Sequence, residues 1–203
     1  MIAIVDYGVG NLRSVERACL RVGAEARVIA RPQELASAQG VILPGVGAFG
    51  DGMARLRAAG WVPALVGWAQ AGRPLLGICL GMQLLFEESE EMGQHRGLSL
   101  LPGRVVRFAR NLKVPHVGWN QIEPLCEHPL LAGVPAGAYA YFVHSYYVEP
   151  ADPGDILAIT DYGGPYASVV GRRNVLGLQF HPEKSQEVGL RMLANFAAMA
   201  AQA

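Results

Sequence analysis

The sequence predicts an α/β fold, a mostly parallel central sheet flanked by helices with an antiparallel extension, in one domain over residues 1–203. Three observations predict it. Up to about residue 95, short apolar runs alternate with stretches of helical period, as parallel strands joined by crossover helices do. After about residue 100 the helical stretches give way to strands separated by turn signals. Hydrophobic residues make up 51% of the 203 and charged residues 17%. A typical soluble domain is roughly 25% charged, so much of this chain is built for burial on both faces of a sheet.

The elements follow in order. Ile2-Ala3-Ile4-Val5 is the first strand. Leu12, Val15, Cys19 and Val22 recur at helical spacing, and Gly23 marks the end of that helix. Val28-Ile29 and Val41-Ile42-Leu43 are the next strands. Trp61, Leu65, Trp68 and Ala69 form a second helical stripe that Gly72 stops, and 74–78 is strand again. A helix is expected over 80–88. Strands then follow at 103–108, 119–123, 139–143, 156–162, 167–170 and 175–180, with turns at Gly163-Gly164 and Arg172-Arg173-Asn174. A last helix, apolar at Leu193, Phe196 and Met199, runs from about 186 to 200.

Seventeen basic residues balance 17 acidic ones, which excludes nucleic acid as the main partner, since neutralising phosphates takes a basic excess. Three cysteines cannot make a disulfide framework, and Met1 runs straight into a strand with no signal-peptide pattern, so a reducing cytoplasm is expected. No apolar run approaches the roughly 20 residues that cross a bilayer. So little charge leaves weak self-repulsion, which suits a chain that buries one face against a permanent partner.

The chemistry concentrates at Gly77-Ile78-Cys79-Leu80-Gly81, a cysteine between glycines where a buried strand turns into a helix. Those are the requirements of a nucleophile elbow. The N–H groups of the helix starting at Leu80 favour a thiolate and can stabilise an oxyanion. The alternative for a lone cysteine is a small core residue, and that reading suits Cys19, on an apolar helix stripe, and Cys126, in a polar loop. A cysteine nucleophile needs a base and the base an orienting acid. Phe180-His181-Pro182-Glu183 supplies both; if the extended run persists through Pro182, Glu183 falls beside His181. Pro44-Gly45-Val46-Gly47-Ala48-Phe49-Gly50 exposes backbone N–H groups that could provide a second oxyanion donor or bind a polar substrate end. Gly8-Val9-Gly10 lacks the third glycine of a dinucleotide site, Arg13 standing in its place, and the five histidines share no ligand spacing, so no cofactor and no metal is expected.

These residues carry a resemblance. Gly77 through Gln83, His181-Pro182-Glu183 and Pro44-Gly45-Val46-Gly47 resemble the triad-type, or class I, glutamine amidotransferases over nearly the whole chain, which implies their flavodoxin-like core. Asp6 through Leu12, His116 through Asn120 and Tyr141 through Tyr147 resemble one branch of that family, the glutaminase subunits that serve histidine biosynthesis. The resemblance implies hydrolysis of glutamine to glutamate and ammonia through a glutamyl thioester on Cys79, with His181 as base and acid and Glu183 orienting it. It implies an oxyanion hole from Leu80 and the Val46 and Gly47 segment, and glutamine held by Gly45, Gln83, Glu91, Ser145 and Tyr146. Ammonia is soon protonated in water and then no nucleophile, so it must pass directly to an acceptor. In the branch resembled, that acceptor is a (β/α)8-barrel cyclase that makes imidazole glycerol phosphate and aminoimidazole carboxamide ribotide, in a heterodimer whose interface would take Asn11, Trp119 and Tyr141. Two rivals stand beside this reading: a glutaminase feeding aminodeoxychorismate or pyridoxal phosphate synthesis, and a regulatory subunit that keeps the fold without the chemistry.

Overall fold

The computed structural model describes residues 1–109 and 111–202. In chain order its elements are β1 (Ile2–Val5), α1 (Leu12–Arg21), β2 (Ala26–Ile29), β3 (Gly40–Gly45), α2 (Phe49–Ala58), α3 (Trp61–Gln70), β4 (Leu75–Cys79) and α4 (Leu80–Leu84). There follow β5 (Glu88–Ser89), β6 (His95–Arg96), β7 (Gly103–Arg107), β8 (His116–Pro124), β9 (Ala138–His144), β10 (Tyr146–Pro150), β11 (Ile156–Asp161), β12 (Pro165–Arg172), β13 (Val175–Leu178) and α5 (Gln186–Ala201).

Five strands, in the order β2-β1-β3-β4-β13, form the parallel core. From β13 the sheet continues antiparallel through β12 into β10, β7 and the other late strands, β5 alone pairing parallel with β7. Strands β1, β3, β4 and β13 are buried along their whole length, which is why they read as unbroken apolar runs. Alternate side chains serve opposite faces. Ile4, Ile42 and Leu76 pack with Val15 and Cys19 of α1 and Met192 and Phe196 of α5. Val5, Leu43 and Leu75 pack with Met53 and Leu56 of α2 and Trp61 and Leu65 of α3. The result is three layers, helix on sheet on helix. Among the described residues no helix is long and apolar enough to cross a membrane.

Some elements differ from expectation. The helix expected over 80–88 stops at Leu84, because the chain turns to place Glu88–Ser89 beside β7. Helix α2 was not expected, since Gly50 and Gly52 interrupt its apolar pattern. The structure gives those glycines a packing reason: a Cβ on Gly52 would press on Leu80 and Leu84 at 3.2 to 3.3 Å, and one on Gly50 would strike the His95 ring. The segment 44–50 is therefore an open strand end only as far as Ala48. Strands β5 and β6 have two residues each, too few to show a period, and β10 takes its place by pairing with β7, some 40 residues away in sequence.

The topology decides where function can sit. Strand β4 lies between β3 and β13, with Gly45 opposite Cys79 and Leu178 opposite Ile78. All three strands run the same way, so their carboxyl ends, and the segments leaving them, meet at one edge.

Candidate active site

Cys79 ends β4 with φ 54° and ψ −113°, a left-handed conformation that side chains avoid. Holding it there costs about 1–3 kcal/mol, and the surrounding glycines make the turn possible. A Cβ on Gly77 would lie 2.6 Å from the Gly81 carbonyl oxygen and from Met82 Cα. One on Gly81 would overlap the carbonyl oxygen of Leu43. Because α4 has only five residues, the help it gives a sulfur anion comes from the free N–H groups of its first turn rather than from a long helix dipole.

His181 and Glu183 meet, though by a different route from the one the spacing suggested. The extended run does not persist: Pro182–Lys184 is a 3-10 turn, and the turn folds Glu183 back so that its Oε1 lies 2.9 Å from His181 Nδ1. Both side chains are buried. The His181 N–H donates to the Tyr141 carbonyl at 3.0 Å. Its own carbonyl accepts from Ser185 Oγ at 2.7 Å, so the backbone is held on both sides. His181 Nε2 and Glu183 Oε2 are buried without a hydrogen bond, and Nε2 is the ring nitrogen left for chemistry. Burial alone would lower the His181 pKa, but the neighbouring Cys79 sulfur and the Glu183 carboxylate outweigh it and push it up to about 10. At neutral pH the ring is a proton donor.

That shift has a pH signature. A folded-state value above the ordinary 6.5 means that the contacts of His181 with Cys79 and with Glu183 together stabilise the fold fully below about pH 6.5 and lose that contribution as pH rises toward about 10. Glu183→Gln is expected to lower melting temperature most near pH 6 and least near pH 10. A deficit independent of pH across that range would show that the pair is not ionic.

A cavity of about 330 Å³ opens beside Cys79. Nine of the expected residues line it: Val46, Gly47, Cys79, Leu80, Gln83, Glu91, Ser145, Tyr146 and His181. Glu183 stands behind His181. Gly45 does not line the cavity; it is buried against the Tyr7 hydroxyl, Gly81 N and Leu80 Cβ. Pro115, Val143 and His144 line it and were not anticipated. His144 had a legible signal, as the last of the buried alternate residues Ala138, Ala140 and Phe142 on β9. Its Nδ1 lies 2.8 Å from the Tyr146 carbonyl and its Nε2 3.3 Å from His116 Nδ1, and burial pushes its pKa down to about 3, so the ring is neutral.

The remaining polar groups are committed in part. Glu91 Oε2 accepts from the Phe49 N–H at 2.7 Å, tying the cavity wall to the start of α2, and burial pushes its pKa up. Gln83 turns its amide nitrogen inward, to the Tyr146 carbonyl at 2.9 Å and Gln179 Oε1 at 3.1 Å. Tyr7 donates to the Pro44 carbonyl at 2.8 Å. Beyond Pro44, Val46 is 43% exposed, and Gly47 has φ 100° with open space on its Cβ side.

On the outer face, Trp119 of β8 pairs in register with Tyr141 of β9, their rings 6.0 Å apart, and Trp119 is 46% exposed. Val117, Tyr139 and Val143 extend this exposed apolar stripe, and Lys184 Nζ lies 5.7 Å from the Tyr141 ring centre. Asn11 does not cap α1 with its side chain; its Nδ2 points to Glu183 Oε1 at 3.5 Å.

Residues 3–200 match the model of the family described as glutamine amidotransferase class-I. The chain is 55% identical over 196 residues to imidazole glycerol phosphate synthase subunit HisH of Desulfitobacterium hafniense, covering 97% of this chain and 93% of that one. It is 54% identical over 202 residues to the subunit of the same name from Halobacterium salinarum, covering 96% and 91%. Among solved structures, a glutamine amidotransferase superposes with a TM-score of 0.77 at 22% identity, over 98% of this chain and all of that one. That likeness speaks to the fold.

Proposed function

The chain belongs to the class-I glutamine amidotransferases, and from that membership we propose that it is the glutaminase subunit of an imidazole glycerol phosphate synthase, with Cys79, His181 and Glu183 as its triad. The observation that carries the reading is that Cys79 on a strained elbow and a histidine backed by a buried carboxylate line one cavity of about 330 Å³. The Cys79 thiolate attacks the side-chain carboxamide of glutamine. The Leu80 N–H and the Val46–Gly47 segment stabilise the resulting oxyanion. Protonated His181 gives its proton to the departing ammonia as the C–N bond breaks, leaving a glutamyl thioester. Neutral His181 then takes a proton from water as it attacks the thioester, glutamate leaves, and the thiolate returns. Glu183 holds the ring in the orientation both steps need. Glu91, Ser145 and Tyr146 stand where they can hold the ends of the substrate.

The partner is a (β/α)8-barrel cyclase, docked over Asn11, Trp119 and Tyr141, which turns the ammonia into imidazole glycerol phosphate and aminoimidazole carboxamide ribotide in the cytoplasm. The exposed stripe around Trp119 supports this placement. The isolated subunit is expected to show little glutaminase activity, rising roughly a hundredfold with the cyclase and its bound ligand, because the Val46–Gly47 segment is exposed with open space around it, docking is expected to fix one of its N–H groups on the oxyanion, and one such donor is worth about 3 kcal/mol. Glutamine hydrolysis measured with and without purified cyclase tests this; full activity without a partner counts against it. Recovery of a chorismate-using subunit on co-purification would overturn the choice of branch.

A further inference from the structure

Gln179 follows β13 directly and is one of the few polar side chains with no exposed surface at all. Nothing in the mechanism above uses it. A buried amide that lacks partners costs stability, and this one has partners at both ends. Its Oε1 accepts from Gln83 Nε2 at 3.1 Å, and its Nε2 lies 3.9 Å from Cys79 Sγ.

The orientation of the amide is determined by its neighbours. The Tyr146 carbonyl can only accept, so Gln83 must present nitrogen to it. The same nitrogen reaches Gln179, which must therefore present oxygen to Gln83 and its own N–H to the sulfur. The Tyr146 carbonyl also sits 2.8 Å from His144 Nδ1, which fixes the far end of the chain. Strand β13 ends beside β4, and the chain leaving it brings Gln179 to 3.9 Å from Cys79 Sγ and His181 into the cavity that Cys79 lines. In the present geometry the thiol itself points toward the Val143 carbonyl at 4.0 Å, leaving the sulfur free to accept from Gln179.

We propose that Gln179 is a further residue of the glutaminase reaction, donating its amide N–H to the Cys79 sulfur and stabilising the thiolate in preference to the thiol. The proposal rests on the assignment of Cys79 as nucleophile. A donor strengthens toward an anion, so Gln179 favours the attacking sulfur before the thioester forms and the departing sulfur when it is hydrolysed. In the thioester the sulfur is neutral and the contact weakens, so the assistance falls on the two steps that move charge on or off sulfur.

The test is the pH dependence of Cys79 alkylation by iodoacetamide, which reaches the sulfur through the cavity it lines, using the full chain bound to its cyclase and following the Cys79 peptide by mass, since the exposed Cys126 reacts as well. Gln179→Met keeps the bulk and removes the donor; its alkylation midpoint is expected to rise by about one pH unit. Gln179→Glu, which faces the sulfur with a carboxylate, is expected to rise further. With glutamine as substrate, Gln179→Met is expected to lose about tenfold in kcat with KM within twofold. Gln83→Met, which leaves Gln179 in place but frees its amide to rotate, is expected to shift the midpoint in the same direction by less. An unchanged midpoint in folded Gln179→Met or Gln83→Met overturns the proposal, because a purely structural role would lower thermal stability and leave the sulfur's titration alone. Because alkylation involves no glutamine, a shifted midpoint in a complex that hydrolyses none would sink the glutaminase reading while supporting the donor.

Discussion

Cys79→Ser is expected to abolish glutamine-dependent synthesis by the complex, by a factor of at least about 10³, and to leave ammonia-dependent synthesis intact. Serine fits the elbow, since it is smaller than cysteine and the φ of 54° is held by the backbone packing around Gly77 and Gly81. What serine lacks is an accessible anion: its hydroxyl holds its proton far more tightly than a thiol, and the protonated His181 beside it is no base. Losses of that order follow removal of a triad nucleophile elsewhere. The cyclase reaction with supplied ammonia bypasses the cavity altogether and should run at the wild-type rate. Loss of both activities together would mean that Cys79 holds the subunit or its interface in shape rather than attacking glutamine.

The second large effect is on stability. Gly81→Ala places a methyl group inside the Leu43 carbonyl oxygen, at the point where the first turn of α4 crosses β3. Backbone cannot give way like a flexible side chain, so the elbow or the β3–β4 pairing must open. A cost of about 4 kcal/mol is expected, among the largest for a single methyl group, and it corresponds to a fall of roughly 8–16 °C in melting temperature for a chain of this size. Gly67→Ala is the matched control. It lies in α3 with no atom within 4 Å of its Cβ position, and should be neutral or stabilising by up to about 1 kcal/mol. Thermal denaturation of the two variants side by side checks the contrast; a Gly81→Ala variant melting within two or three degrees of wild type would show that the turn tolerates a side chain.

The parts of the molecule legible in the sequence are those whose signal is local. Strands β1, β3 and β4 are apolar runs because both faces are covered, and α1 and α3 show their stripes because each has one wet side. Cys79 was legible for the same reason, its glycines lying within two residues of it. Other features were set from a distance. Helix α2 hides behind glycines whose purpose is contact with α4 and His95. Glu183 reaches His181 through a turn and not along a strand, so the right pair was inferred from the wrong geometry. Gln179, a lone polar residue between Leu178 and Phe180, was visible as an anomaly, but its partners Gln83 and Cys79 are about 100 residues away. The placement of His144 and Pro115 in the cavity depends on the antiparallel half of the sheet, which no periodicity positions.

The place of β13 in the sheet also has a consequence in time. It is the last strand to leave the ribosome, yet it belongs near the centre, between β4 and β12. Its insertion joins the parallel and antiparallel halves and carries Gln179 and His181 to a cysteine synthesised 100 residues earlier. Contacts that distant in sequence form late and slowly. A nascent or truncated chain therefore holds Cys79 without Gln179 and His181 beside it, and on the proposed reading is expected to release no ammonia until β13 is in place.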